Sequence, residues 1–451
     1  MMKRLLSLSL LLGLTAMVSA QWVQQATGFA AASRGINHVS VVDQNIVWAA
    51  AYDGSGTAAT IQEFTRTTNG GTLWTPGTVN GTVGLDMAMI FGINADTAWV
   101  PMYHPTGGTT PAQGIYVTHN GGLTWTRQTT ATFSASLGSF PNVIHFFDAN
   151  NGVCQGDPVG GYFEIYTTTD GGTTWTRVPQ ANIPAPLSGE WGIVGYYDAV
   201  GDTIWFGTQK GRVFHSTNKG LNWTVSQTPL TTYTNVYMAT GLHGIAQDKG
   251  SASTGTMYET FNGGQTWTLI NHTGPVYTND MAHVPGTAET FVSTGAATGL
   301  SGCSYSYDGG HTWTDFIGTQ GIQFLSTGWA DPGNGWAGGF TDQTMPSTVG
   351  GMYKYTGILT EVMQQLQKEQ GVVVYPNPSE GAFTFALKGF ENQEVVLNIR
   401  DLSGRSVYST TKEQSMVTYN IPVDLSHLTA GFYIAELVSG DFSWSQKLVR
   451  Q

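Results

Sequence analysis

Short apolar runs separated by polar turns fill most of this chain, and their length and spacing are those of strands rather than helices. The first clear instance covers 38–51: an inner run at 38–42, a turn at 43–45, and a second run at 46–51. The same order returns in MIFGINADTAWVPM, VIHFFDANNGVCQG, IVGYYDAVGDTIWFG and FLSTGWADPGNGWAGG. A third run and then a Trp-led fourth follow, as in GIYVTHNGG and TWTRQTT, so each repeat predicts a four-stranded antiparallel sheet. After the sixth complete repeat, 321–339 and 351–356 supply only three strands. The missing outer strand is available at the other end of the chain, where QWVQQAT at 21–27 resembles TWTRQTT. Such closure makes a ring of seven sheets with no open edge. Beyond it, 357–371 is Gln-rich and reads as a linker containing a short helix, and the alternation resumes at 372–451 as a small β-sandwich.

Each of the first six repeats closes on one octet: Ser or Thr, then Asp or Asn two on, Gly two further, and Trp last. The closing tryptophans Trp74, Trp125, Trp175, Trp223, Trp267 and Trp313 lie 51, 50, 48, 44 and 46 residues apart. Asn69, Asn120, Asp170, Asn218, Asn262 and Asp308 are placed to accept backbone N–H groups one to three residues ahead, while the glycines tolerate a tight hairpin. Leu73, Asn222 and Lys219 depart from the pattern, so the first and fourth turns are expected to be looser. The octets resemble the Asp-box, or bacterial neuraminidase repeat, of sialidases and many non-sialidase propellers. The resemblance implies an all-β, seven-bladed β-propeller, with box residues that are structural and lie on the face away from any ligand.

Residues 1–20 carry Lys3 and Arg4 before an apolar run and end in Val18-Ser19-Ala20, the pattern of an export signal, and 21–356 is left as the ring. No other run is long and apolar enough to span a bilayer. Only 11% of residues are charged, and residues 21–360 hold nine basic against twenty acidic ones, which argues against a nucleic-acid partner. Cys154 and Cys303 fall in different repeats and are expected as buried free thiols. The sequence shows no metal-ligand spacing, cofactor motif or nucleophile motif. His38, His145, His243 and His283 are read on inner strands, lining the core or channel rather than holding a metal.

The segment 372–451 contains Tyr375-Pro376-Asn377-Pro378, then Gly404-Arg405, then Gly431 with Tyr433, and finally Lys447. These blocks resemble the type A sorting domain of the type IX secretion system. That implies export across the outer membrane, the secretion machinery as partner, and a secreted or surface location.

In a propeller, the loops opposite the boxes open around a central channel. The residues that begin the inner strands are Arg34, Asp86, Asn142, Glu190 with Trp191, Asn235 with Tyr237, Asp280 and Gln323, and they are the expected ligand-binding positions at the channel mouth. No catalytic residue is assigned. A sialidase-like site resembles three arginines around a substrate carboxylate, yet only Arg34 stands at the start of an inner strand. Asp86 or Glu190 with Asp280 would be the carboxylates of a glycoside hydrolase, the alternative to a binding module for a glycan or protein. The whole resembles photosystem-assembly-type and other non-enzymatic Asp-box propellers.

Overall fold

The computed structural model describes residues 21–451 apart from 32, 58, 106–109, 134–137, 250–254, 340–350, 360–370, 391–392, 414–417 and 441. The export signal, nearly all of the Gln-rich linker with its expected helix, and the long loop at 341–350 therefore lie outside the described residues. The chain divides into two compact units, Met1–Gly357 and Ile358–Gln451.

Among the described residues, the first unit holds seven antiparallel sheets, six of four strands and one of five. Their inner strands are Arg34–Val41, Asp86–Met87 with Phe91–Gly92, Pro141–Phe146, Asp198–Val200, Thr234–Met238, Asp280–His283 and Phe324–Asp331, which number the sheets one to seven below. The ring closes as the sequence requires: Trp22–Gln25 pairs with Met352–Tyr355 as the outer strand of the seventh sheet, and Arg34–Val41 packs on Phe324–Asp331. Trp22 is buried against Phe316, Phe324, Trp329 and Tyr355, so closure is fastened by an aromatic cluster as well as by strand hydrogen bonds.

The six octets make one set of contacts six times. The first Ser or Thr hydroxyl accepts the buried N–H of the second glycine position at 2.9 Å in every copy. The Asx oxygen accepts the N–H four residues ahead, as Asp170 does from Thr174 at 2.8 Å. That reach exceeds the expected one to three residues, because the two residues after Asp170 turn back through positive φ, 70° at Gly171 and 85° at Gly172. Nor are the first and fourth turns looser: Leu73 and Asn222 donate to Asn69 and Asn218 at 2.9 Å. Lys219 adopts φ 59°, and its ammonium bridges Asp148 and Asp202. Each box packs on the turn between the first two strands of its own sheet, where Gly70, Gly121 and Gly171 donate to Asn45, Asp96 and Asn150. The closing tryptophans seal the gap to the preceding sheet: Trp74 and Trp175 donate to Gln25 and Gln128 on its outer strand.

The second unit packs a three-stranded sheet against a four-stranded one over a shared core that includes Phe385, Leu397, Ile399, Leu437 and Leu448. Asn377 ties its two ends together, donating to the Lys447 carbonyl and accepting the Val449 N–H, both at 2.8 Å. Gly404 takes φ 85° in a turn where Asp401 holds Arg405, and Tyr433 is buried with its hydroxyl on the Thr429 carbonyl.

Candidate functional site

Inner strands from all seven sheets surround a central cavity of about 730 Å³. Asn235, Tyr237 and Asp280 line it, as expected for channel residues. So do His38, His145 and His283, whereas His243 precedes the second strand of its sheet, outside the inner strand where the sequence put it, and stacks on Phe261. Among the described residues, no cluster of His, Cys, Asp or Glu has the geometry to hold a metal.

The other predicted positions do not face this cavity. Arg34 is consumed by carboxylates, Nε donating to Glu63 and Nη1 lying 3.6 Å from Asp53. Asp86 is half-buried beside Tyr103, and burial raises its pKa. Asn142 is fully buried and donates to Asp157 at 2.8 Å. Glu190 is buried in an ion pair with Arg212 at 2.9 Å, and accepts the Thr208 hydroxyl and the Leu187 N–H, both at 2.7 Å. Trp191 stays 43% exposed on the loop that this pair anchors, and Gln323 donates to the Ala296 carbonyl. The displacement has a local cause. Register shifts fall between Ile36 and His38, Pro141 and Val143, and Phe324 and Ser326, so counting from strand starts fails there. In the fourth sheet, Gly192 bridges Thr208 and the inner strand begins only at Asp198. Gly192 is required where it stands: a Cβ would lie 2.8 Å from the amides of Asn142 and Gln155.

Sequence reasoning missed Asp198, which lines the cavity together with Tyr196 and Tyr197. Its carboxylate accepts the Ala199 N–H at 2.7 Å and, across to the fifth sheet, the Met238 N–H at 2.6 Å. Asp280 repeats this from the sixth sheet, accepting its neighbour Met281 and Thr327 of the seventh, both at 2.9 Å. Ser40 does the same for Gly92 between the first two sheets. Asp198 and Asp280 are thus clasps between sheets that also face the cavity. Burial pushes Asp198 up to about 7 and raises Asp280 as well, with Lys249 pulling Asp280 back. Lys249 is half-buried with its ammonium enclosed over the Tyr196 ring, and burial lowers its pKa. Burial also lowers His38 to about 4 and His145 to about 3, so both imidazoles are neutral at pH 7.

Residues 373–451 match the family of secretion system C-terminal sorting domains. The chain carries a type IX sorting tail. It marks the chain for export to the cell surface or beyond and for contact with the secretion machinery, and no helix among the described residues is long and apolar enough to cross a membrane. Comparison with curated proteins returns no match. Among solved structures, the chain is similar to YCF48 bound to D1 peptide, with 15% identity and a TM-score of 0.52, covering 74% of this chain and 96% of that one. It is similar to YCF48 from Cyanidioschyzon merolae at 16% identity and TM-score 0.52, over 75% and 99% of the two chains. A GH74 xyloglucanase from Xanthomonas campestris matches at 11% identity and TM-score 0.47, over 82% of this chain and 59% of that one. The two YCF48 likenesses establish the β-propeller fold.

Proposed function

We propose that this exported propeller is a binding module whose ligand enters the central cavity. The observation that carries the reading is the cavity itself, about 730 Å³ and walled by aromatic and polar side chains from every sheet. The state of the charged residues supports binding over sialidase chemistry. The five propeller arginines are already engaged: Arg34 by Glu63, Arg66 by the Ala95 carbonyl, Arg127 by Gln113, Arg177 by Val159 and Arg212 by Glu190. None of them lines the cavity, so none is placed there to clamp a substrate carboxylate. YCF48, of the same fold, has a complex with a peptide, so a protein ligand belongs in any screen beside glycans.

One observation favours hydrolysis as a second reading. Asp198 and Asp280 both face the cavity and burial raises both pKa values, a pattern shared with acid/base pairs. Incubating the purified chain with glycan and peptide libraries, scoring both capture and product release, separates the two. Saturable capture without product is expected. Turnover that vanishes in Asp280→Asn while the protein stays folded would replace the binding reading with the hydrolytic one.

A further inference from the structure

The cavity wall selects among ligand chemistries, and the selection rests on the reading of the cavity as the binding site. Its two carboxylates cannot turn. Each oxygen of Asp198 and Asp280 already accepts one backbone N–H, which fixes the carboxylate planes and leaves each oxygen with acceptor capacity toward the cavity. The imidazoles of His38 and His145 are uncharged at neutral pH, and that of His145 shares a hydrogen bond with the Tyr197 hydroxyl. The second and third sheets add Phe91, Tyr103 and His145 to the lining, with Phe91 and His145 in edge contact. Fixed acceptors on the fourth and sixth sheets and aromatic rings on the second and third suit a ligand with many hydroxyl donors and C–H faces.

Charge narrows the choice. Among the described residues, an anion would find no lysine or arginine in the cavity lining to pair with, only the two acidic side chains. A cation would find those carboxylates held by backbone donors, with burial favouring their protonated forms and Lys249 beside Asp280. We infer that the central cavity binds a neutral sugar residue, its hydroxyls donating to Asp198 and Asp280 and its ring faces lying against the aromatic wall.

The test uses the purified chain with methyl glycosides of glucose, galactose, mannose and xylose, alongside sialic acid and a lysine-rich peptide. Histidine side-chain NMR reports the site, since His38, His145 and His283 line the cavity and His243 does not. Saturable shifts of the three cavity histidines with at least one neutral glycoside, and none with sialic acid or the peptide, are expected. Tyr103→Leu removes one aromatic ring from the lining and should weaken that glycoside at least tenfold per folded molecule. Asp198→Asn, which halves the acceptors offered by that side chain, should also weaken the glycoside, and if that variant fails to fold the shift pattern of the unaltered chain still decides. Cavity shifts produced only by the peptide or by sialic acid overturn the sugar assignment but keep the site. Absence of cavity shifts with every neutral glycoside at tens of millimolar overturns the assignment outright. Glycoside perturbations confined to Trp191 and Tyr233, two exposed aromatics of the fourth and fifth sheets, would instead remove the cavity as the site.

Discussion

The box hairpins and the starts of the inner strands are both repeated features of the ring, yet they behave in opposite ways. At the boxes, one octet makes the same two hydrogen bonds six times, whatever residue fills the variable positions. At the strand starts, polar residues in comparable sequence positions do unrelated things: Arg34 pairs with Glu63, Glu190 with Arg212, and Asp280 clasps the seventh sheet. A motif whose partners lie within a few residues carries its structure in its sequence. A residue whose partners lie on another sheet does not.

That contrast can be broken most severely at the ring closure. Removing 21–27 deletes the strand paired with Met352–Tyr355 and the Trp22 cluster, and is expected to abolish cooperative unfolding and produce aggregation, read by calorimetry and light scattering. A truncated chain that melts as one unit near the parent temperature would show the terminal strand to be dispensable. Next comes Trp175→Ala, which should cost roughly 3 to 5 kcal/mol, since the buried ring packs against Phe146 and donates to Gln128. Chemical denaturation measures it, and ligand capture per folded molecule should be unchanged. Breaking the long-range pair with Arg212→Met should cost about 3 kcal/mol by stranding the Glu190 carboxylate, in spite of its place on the presumed ligand face. Thr168→Ala removes the acceptor for the buried Gly172 N–H together with the hydroxyl's own bond to Asp170, and should cost about 1 kcal/mol, with equal costs at Thr118 and Thr260 if the boxes are equivalent.

The last effect is a pH dependence. Burial raises the folded pKa of Asp198 to about 7, above its value in the unfolded chain, so the folded state holds the proton longer. The stability this gives is fully present below the ordinary carboxylate range and is lost as pH rises toward 7. His38 and His145 act in the other sense, since burial lowers them: their contribution is present above the ordinary histidine value and is lost as pH falls toward 4. The penalty of Asp198→Asn should therefore shrink by roughly 1 to 3 kcal/mol between pH 4 and 8, measured as the difference in melting between variant and parent. A penalty that grows with pH would reverse the sign assigned to Asp198.

The same distinction explains what the sequence disclosed. The sheets, the box hairpins, the strand donated by Trp22–Gln25 and the sorting tail all rest on local patterns or on pairing between compatible strands. Of the channel residues, Asn235, Tyr237 and Asp280 were legible because no register shift interrupts their strands before them. Asn142 lies at such a shift, and Glu190 precedes a bridge at Gly192 that delays the fourth inner strand to Asp198. Nothing in YYDAV distinguishes a cavity carboxylate from one in an exposed turn until the Met238 N–H is brought against it. Lys249 reaches Tyr196 from another sheet and was equally invisible.

A crystal structure of the chain soaked with the methyl glycoside that gives the strongest response tests the central claim most directly. The account predicts a sugar ring in the central cavity, with hydroxyls on Asp198 and Asp280 and with the six box hairpins unchanged. A sugar bound at the box face, or at Trp191 with the cavity empty, would contradict it.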